Sequence, residues 1–185
     1  MTAMSTKKRA PKPDPHEKAL HLMRRWIGQT EDPPNSNVFP PVQHTVAVLV
    51  KAGVKVPKWQ QSGGFAWCSW ACFVALARAG AKGAIKQIEN SNAAYTVTVL
   101  EDATKKRNGL SITKRPRAGD IALFDLPAGD LVDHAGMVVS VTPRTVLCIE
   151  GNTSSGSLGS QSNGGGCFLR LRDRQLVRAF VRVAP

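Results

Sequence analysis

A run of eight apolar residues, WACFVALA at positions 70–77, limits the folds open to this chain more than any other feature. A helix that is apolar on every face cannot lie at a surface, so other elements must surround it. Glycine commonly ends a helix, and Gly80 follows the run closely. We therefore expect a central, buried helix from Cys68 to Ala79.

Helical patterns also flank this segment. Asp14 can cap a helix and Pro15 suits its first position, while Gly28 can end it. The segment VQHTVAVLVKAG, residues 42–53, fits a second helix, although its β-branched residues leave a strand possible. Residues 92–107 predict a further helix with a basic last turn.

The pattern changes after Pro116, where short apolar runs alternate with Gly, Pro, Asn and Ser. These runs predict five strands: GDIALFD, HAGMVVSV, RTVLCIEG, CFLRLRD and VRAFVRV. A long loop, GNTSSGSLGSQSNGGG at 151–166, separates two of them. Because the helices come first and the strands afterwards, we expect an α+β fold with an antiparallel sheet.

Chain length and composition bound the domain organisation. With 185 residues, 42% of them hydrophobic, the chain can build one core. We expect a single domain over residues 14–185, preceded by a disordered basic tail over residues 1–13. The formal net charge of +12 indicates a polyanionic partner, such as nucleic acid, a membrane surface or an anionic cell wall.

The first residue of the buried helix is a candidate nucleophile. A helix N-terminus stabilises a thiolate, and Cys68 lies at such a position. A nucleophilic cysteine needs a base and a group that orients the base. Among the four histidines, His134 begins a strand after a polar turn and can face a cleft. A hairpin would return Glu150 and Asn152 beside it, both on one strand face.

Other roles for these residues stay open on the sequence alone. Cys68 could be a packing residue and His134 a core histidine. The C-x₃-C spacing of Cys68 and Cys72 does not match the usual zinc-ligand spacing, so we expect no metal site. Cys72 and Cys148 are expected in the core. A disulfide between Cys148 and Cys167 is possible on an exported protein.

Four motifs in order carry a family resemblance: Trp-Cys opening an apolar helix, GDI-x-x-F at 119–124, D-H-x-G-M-V at 133–138 and I-E-G-N at 149–152. Together they resemble the CHAP domain, the cysteine, histidine-dependent amidohydrolase/peptidase family. RWIGQTEDPPNSN at 25–37 further resembles the entry segment of CHAP peptidoglycan hydrolases from actinobacteria and their phages. The resemblance spans about residues 17–183.

This resemblance implies a papain-like fold, with N-terminal helices packed on an antiparallel β-sheet. It implies that Cys68 is the nucleophile, His134 the base that later protonates the leaving amine, and Glu150 the residue that orients His134. Asn152 would be a fourth polar member of the site. Trp67, next to the nucleophile, is expected to line the cleft and contact substrate. The lead-in WQQSGGFAW has no carboxylate, so neither calcium nor any other cofactor is expected.

The implied function is hydrolysis of an amide bond in bacterial peptidoglycan, by an N-acetylmuramoyl-L-alanine amidase or an endopeptidase, and a phage endolysin is the expected type. No apolar stretch approaches the roughly 18 residues of a membrane span, and no apolar region of a signal peptide follows the basic start. These features predict a protein made in the cytosol. The resemblance implies that it is held in the host cytoplasm until it is released to the anionic wall, and a monomer is expected.

Two function classes compete with this hypothesis. A non-catalytic wall-binding or virion-associated protein could retain the same fold. A nucleic-acid-binding protein would also explain the positive charge, but the basic segments contain few aromatic residues and no recognised binding motif. No specific nucleic-acid partner is therefore expected.

Overall fold

The computed structural model describes residues 14–127, 131–156 and 159–185. The predicted disordered tail, residues 1–13, lies outside the described residues. Within these ranges the chain forms six α-helices: α1 (Pro15–Arg24), α2 (Pro40–Lys51), α3 (Lys58–Gln61), α4 (Cys68–Arg78), α5 (Lys82–Asn90) and α6 (Thr96–Thr104). The described strands follow: β1 (Leu110–Ile112), β2 (Ile121–Phe124), β3 (His134–Val141), β4 (Thr145–Thr153), β5 (Gly166–Asp173) and β6 (Val177–Val183).

The strands form one sheet in the order β1-β6-β2-β3-β4-β5, and each neighbouring pair is antiparallel. Alternate residues of β2 face opposite ways, as strand geometry requires. Ile121 and Leu123 join the large core shared with the helices, whereas Ala122 and Phe124 join a smaller cluster. The α+β fold predicted from the sequence, with helices packed on an antiparallel sheet, is confirmed.

Helix α4 lies at the centre of the large core. Its residues 68–77 are all buried, and the helix contacts α1, α2, α5, β3 and β4. Burying one large apolar side chain contributes about 1.5–3 kcal/mol, so this helix is a major source of stability. It ends at Arg78, and Gly80 has a φ of +95°, which favours glycine. The predicted buried helix is confirmed.

Helix α1 begins as predicted and is tied to the sheet by a histidine. Asp14 Oδ1 accepts a hydrogen bond from the backbone N–H of His16 at 3.0 Å. The buried His16 ring places its two nitrogens 3.0 Å from the carbonyl oxygens of Gly119 and Val183. The helix itself ends at Arg24, because the residues up to the predicted end at 28 form turns.

The ambiguous second segment is helix α2. Its buried residues Val42, Thr45, Val46 and Leu49 recur at the spacing of one helical face. Packing of this face against α4 therefore outweighs the weak strand preference of β-branched residues. The segment after α4 differs from prediction, because α5 was not expected.

Candidate active site

The ends of three elements place the candidate catalytic residues. Cys68 is the first residue of α4, and His134 is the first residue of β3. Glu150 lies near the end of β4, directly opposite Gly136 of β3. The predicted hairpin thus forms, and it brings the end of β4 back to the start of β3.

Cys68 is buried and lines a pocket of about 350 Å³. The cap residue before it, Trp67, makes no side-chain hydrogen bond to the start of α4. The N–H groups of a first helical turn have no partners within their own helix. The N-terminus of α4 can therefore stabilise negative charge on the sulfur or on a bound oxygen.

His134 is fully buried, and its Nε2 lies 2.9 Å from Glu150 Oε2. Burial lowers the pKa of His134, whereas Cys68 and Glu150 raise it more strongly, to about 9. Nδ1 forms no aligned hydrogen bond within the described residues, although Cys68 is close enough to act on the ring. Such bonds commonly tighten only when substrate binds. Nδ1 is therefore the nitrogen left to exchange a proton with the thiol.

Glu150 is ionised despite complete burial. Burial raises the pKa of this carboxyl. Hydrogen bonds from His134 and Arg172 lower the pKa by more than burial raises it, so the net pKa lies below its ordinary value. Arg172 Nε donates to Glu150 Oε1 at 3.0 Å, and Nη2 donates to Oε2 at 2.6 Å. A bidentate guanidinium both neutralises the carboxylate and fixes its orientation.

Arg172 was not predicted as a site residue from the sequence. Residues paired directly across antiparallel strands share a face, and Arg172 is paired with Val146 on β4. Because Val146 and Glu150 are four residues apart on one strand, they face the same side, which Arg172 also faces. The alternation R-L-R at residues 170–172 of β5 indicates that both arginines lie on one face of the strand. The register of β5 against β4, which decides what Arg172 meets, cannot be read from the sequence. Arg172 also donates from Nη1 to Gln161 Oε1 at 2.9 Å.

Asn152 is buried and lies two residues after Glu150, but its backbone does not have the expected strand geometry. The β4–β5 register shifts between Glu150 and Thr153, and Asn152 has a left-handed φ of +57°. Its Nδ2 donates to the carbonyl oxygen of Ser162 at 3.3 Å, and no hydrogen bond joins it to His134 in the described chain. The simple alternation used to place it does not hold through this bulge.

Trp67 packs inside the protein, and the structure therefore gives it no open face toward the pocket. The side chain is 2% exposed. Its ring stacks on Phe39 with a centroid distance of 4.2 Å, and Nε1 donates to Glu31 Oε1 at 2.8 Å. These contacts correct the predicted substrate-contacting role. The Trp67 side chain instead anchors the start of α4 to the loop that carries Glu31.

The remaining cysteines are buried free thiols. Burial raises the pKa of Cys72 and of Cys148 well above the ordinary value, and raises the pKa of Cys167 to about 12. Cys148 lies in the smaller cluster and Cys167 in the large core, so this structure contains no Cys148–Cys167 disulfide. The described residues also contain no group of three or more His, Cys, Asp or Glu side chains that could hold a metal ion.

A comparison with protein families now bears on this arrangement. The family model for the CHAP domain matches residues 60–152, which is half of the chain and includes Cys68, His134 and Glu150. The chain belongs to the CHAP family. This family implies cysteine- and histidine-dependent amidohydrolase or peptidase activity, and the CHAP domain described above has these two residues beside each other. No curated protein and no solved structure matches the chain.

Across the three described ranges, no helix of this CHAP domain is both long enough and apolar enough to cross a bilayer.

Proposed function

We propose that the protein is a peptidoglycan hydrolase in which Cys68 attacks an amide carbonyl of a stem peptide or cross-bridge. The observation that carries this proposal is the position of Cys68 at the N-terminus of a buried helix, beside a histidine that is hydrogen-bonded to Glu150. Nucleophile, base and orienting group are the three parts that thiol catalysis requires.

The first half of the reaction forms a thioester. His134 takes the thiol proton on Nδ1, and the thiolate of Cys68 attacks the carbonyl carbon. Backbone N–H groups in the first turn of α4 stabilise the oxyanion, a contribution of about 3 kcal/mol for one such donor. The carbon–nitrogen bond then breaks, and His134 gives its proton to the leaving amine. The raised pKa of His134 keeps this proton available near neutral pH.

The second half releases the product and restores the enzyme. Neutral His134 takes a proton from water, the resulting hydroxide attacks the thioester carbon, and Cys68 leaves as a thiolate. Glu150 stays ionised throughout, because Arg172 and His134 both donate to it. Its role is to orient the imidazole and to stabilise the imidazolium. We include Asn152 as a further polar member that shapes this end of β4.

The biological setting that we propose is a phage endolysin, held in the host cytoplasm and released to the wall. The resemblance of residues 25–37 to CHAP peptidoglycan hydrolases of actinobacteria and their phages supports this setting. The net charge of +12 supports attraction to an anionic wall. Wall binding should then weaken as salt rises, because exposed charges are screened. Binding and lysis that do not respond to salt would contradict the electrostatic part.

The test of the enzymatic proposal uses purified sacculi of several wall types. We expect the wild type to reduce their turbidity and Cys68→Ala to leave it unchanged, with Cys167→Ala as a control that removes a buried thiol other than the candidate nucleophile. Mass spectrometry of the released fragments then assigns amidase or endopeptidase activity from the new termini. Clearing by Cys68→Ala at the wild-type rate, or by neither protein on any wall, would overturn the proposal; binding without clearing would favour a non-catalytic wall binder.

A further inference from the structure

The pocket beside Cys68 has mainly aliphatic walls. It measures about 350 Å³, and its lining includes Ala66, Ala94, Val97 and Val132. Two large apolar side chains at its mouth are unusually open to solvent: Tyr95 is 51% exposed and Leu131 is 61% exposed. Exposed apolar groups around a concave site are typical of ligand binding.

The charge in this pocket contrasts with the charge of the chain. Lys and Arg outnumber Asp and Glu by 25 to 13, yet none of the described residues that line the pocket is a lysine or arginine. The one charged group in the described part of its lining is Asp133, which is partly buried. Asp133 Oδ1 accepts from the backbone N–H of Leu126 at 3.1 Å, and among the described residues no cationic side chain pairs with this carboxylate.

Besides Asp133, the described lining carries the Cys68 thiol and the hydroxyl groups of Tyr95 and Thr96, and the Thr96 hydroxyl is already engaged. The Thr96 hydroxyl donates to the carbonyl oxygen of Val132 at 2.5 Å. Among the described lining groups, the Asp133 carboxylate, through Oδ2, is therefore the strongest acceptor for a ligand. Aliphatic walls with one carboxylate favour an alkyl chain that ends in an ammonium group, and they disfavour a second carboxylate through like-charge repulsion.

We propose that this pocket binds the side chain of a lysine-type diamino acid in the stem peptide, with its alkyl part against the aliphatic walls and its ammonium group paired with Asp133. The inference rests on the proposed function, because only a peptide substrate places such a side chain next to the amide attacked by Cys68. Asp133 precedes His134 in the chain, so the same strand start positions both the base and the specificity group.

The test measures affinity without turnover, by calorimetry on the Cys68→Ala variant. The probes are synthetic peptides L-Ala-D-isoglutamine-X-D-Ala, in which X is lysine, Nε-acetyl-lysine, norleucine or meso-diaminopimelate. Lysine should bind about tenfold more tightly than acetyl-lysine or norleucine, the effect of one hydrogen bond between charged groups. In an Asp133→Asn background, which keeps an acceptor for Leu126, lysine and acetyl-lysine should bind equally. Glu17→Gln, the same charge change on an exposed residue of α1, should preserve the difference.

Two results would overturn the inference: equal binding of lysine and acetyl-lysine peptides, or tighter binding of the diaminopimelate peptide with its additional carboxylate. Its failure can be told from failure of the proposed function. Clearing of sacculi without discrimination among the peptides overturns only the pocket assignment. Discrimination that depends on Asp133, without clearing of sacculi, supports the pocket assignment and overturns hydrolysis.

Discussion

Replacement of Arg172 by methionine tests the buried network behind the candidate nucleophile. Arg172 is 8% exposed and Glu150 is fully buried. Methionine has a similar length but removes the donors at 3.0 and 2.6 Å, so the Glu150 carboxylate would keep only its contact with His134. Removing one partner of a buried ion pair leaves an uncompensated charge and costs about 3–5 kcal/mol of the free energy of unfolding.

The same substitution should change the pH dependence of catalysis. Without Arg172, burial raises the pKa of Glu150, and a carboxyl that becomes protonated no longer stabilises the His134 imidazolium. The pKa of His134 should then fall below its present value of about 9. Each 1.4 kcal/mol of lost stabilisation lowers it by about one unit. The alkaline limb of kcat/KM should therefore move to lower pH.

The assay combines urea unfolding at neutral pH with kcat/KM between pH 6 and 10. Arg170→Met is the matched control, because Arg170 lies on the same strand and donates to Ser155 and Gln161 but not to Glu150. We expect the control to lose less than about 1 kcal/mol. Arg172→Lys, which retains a positive charge, should recover part of both effects. An Arg172→Met protein with wild-type stability and an unchanged alkaline limb would refute the reasoning.

Three further substitutions or titrations follow from the same geometry. The folded-state pKa of His134 is raised to about 9, so its stabilising contribution of about 3 kcal/mol is complete below pH 6.5 and is lost as pH rises through 9. The difference in unfolding free energy between wild type and His134→Gln should therefore become smaller from pH 6.5 to pH 9. A difference that stays constant over this range would contradict the prediction. Gly151→Ala would place a Cβ 2.5 Å from the Trp67 ring, so it should shift Trp67 fluorescence and lower activity, whereas Gly156→Ala, which meets no atom within 4 Å, should do neither. Gly119→Ala combines a φ of +85° with a Cβ 2.4 Å from His16, so this variant should have a melting temperature several degrees below that of the wild type in calorimetry. A variant that melts at the wild-type temperature would show that α1 can shift to accept the added Cβ.

Local signals in the sequence account for the parts of the fold that were predicted. The buried helix α4 follows from an uninterrupted apolar run bounded by glycine, and the sheet follows from short runs separated by turn residues. The proximity of His134 and Glu150 follows from one hairpin, which needs no long-range information beyond the turn between β3 and β4.

The parts that were missed depend on long-range packing. Arg172 reaches Glu150 only through the register of β4 against β5, which sequence does not specify. Trp67 is buried because Phe39, which is distant in sequence, stacks on it. Asn152 leaves the regular alternation because the strand bulges at that point. In each case the tertiary structure sets the position of the side chain, so the local sequence pattern alone does not predict which groups the side chain contacts.

Alkylation of the native protein by iodoacetamide tests most directly whether Cys68 is the activated nucleophile. All four thiols are buried, but burial raises the pKa of Cys72, Cys148 and Cys167, and only thiolates react quickly. At neutral pH, intact mass and peptide mapping should show one modification, at Cys68, with hydrolysis of sacculi lost in parallel and with slower labelling in His134→Ala. Labelling of another cysteine first, or full activity after Cys68 is alkylated, would contradict the central claim.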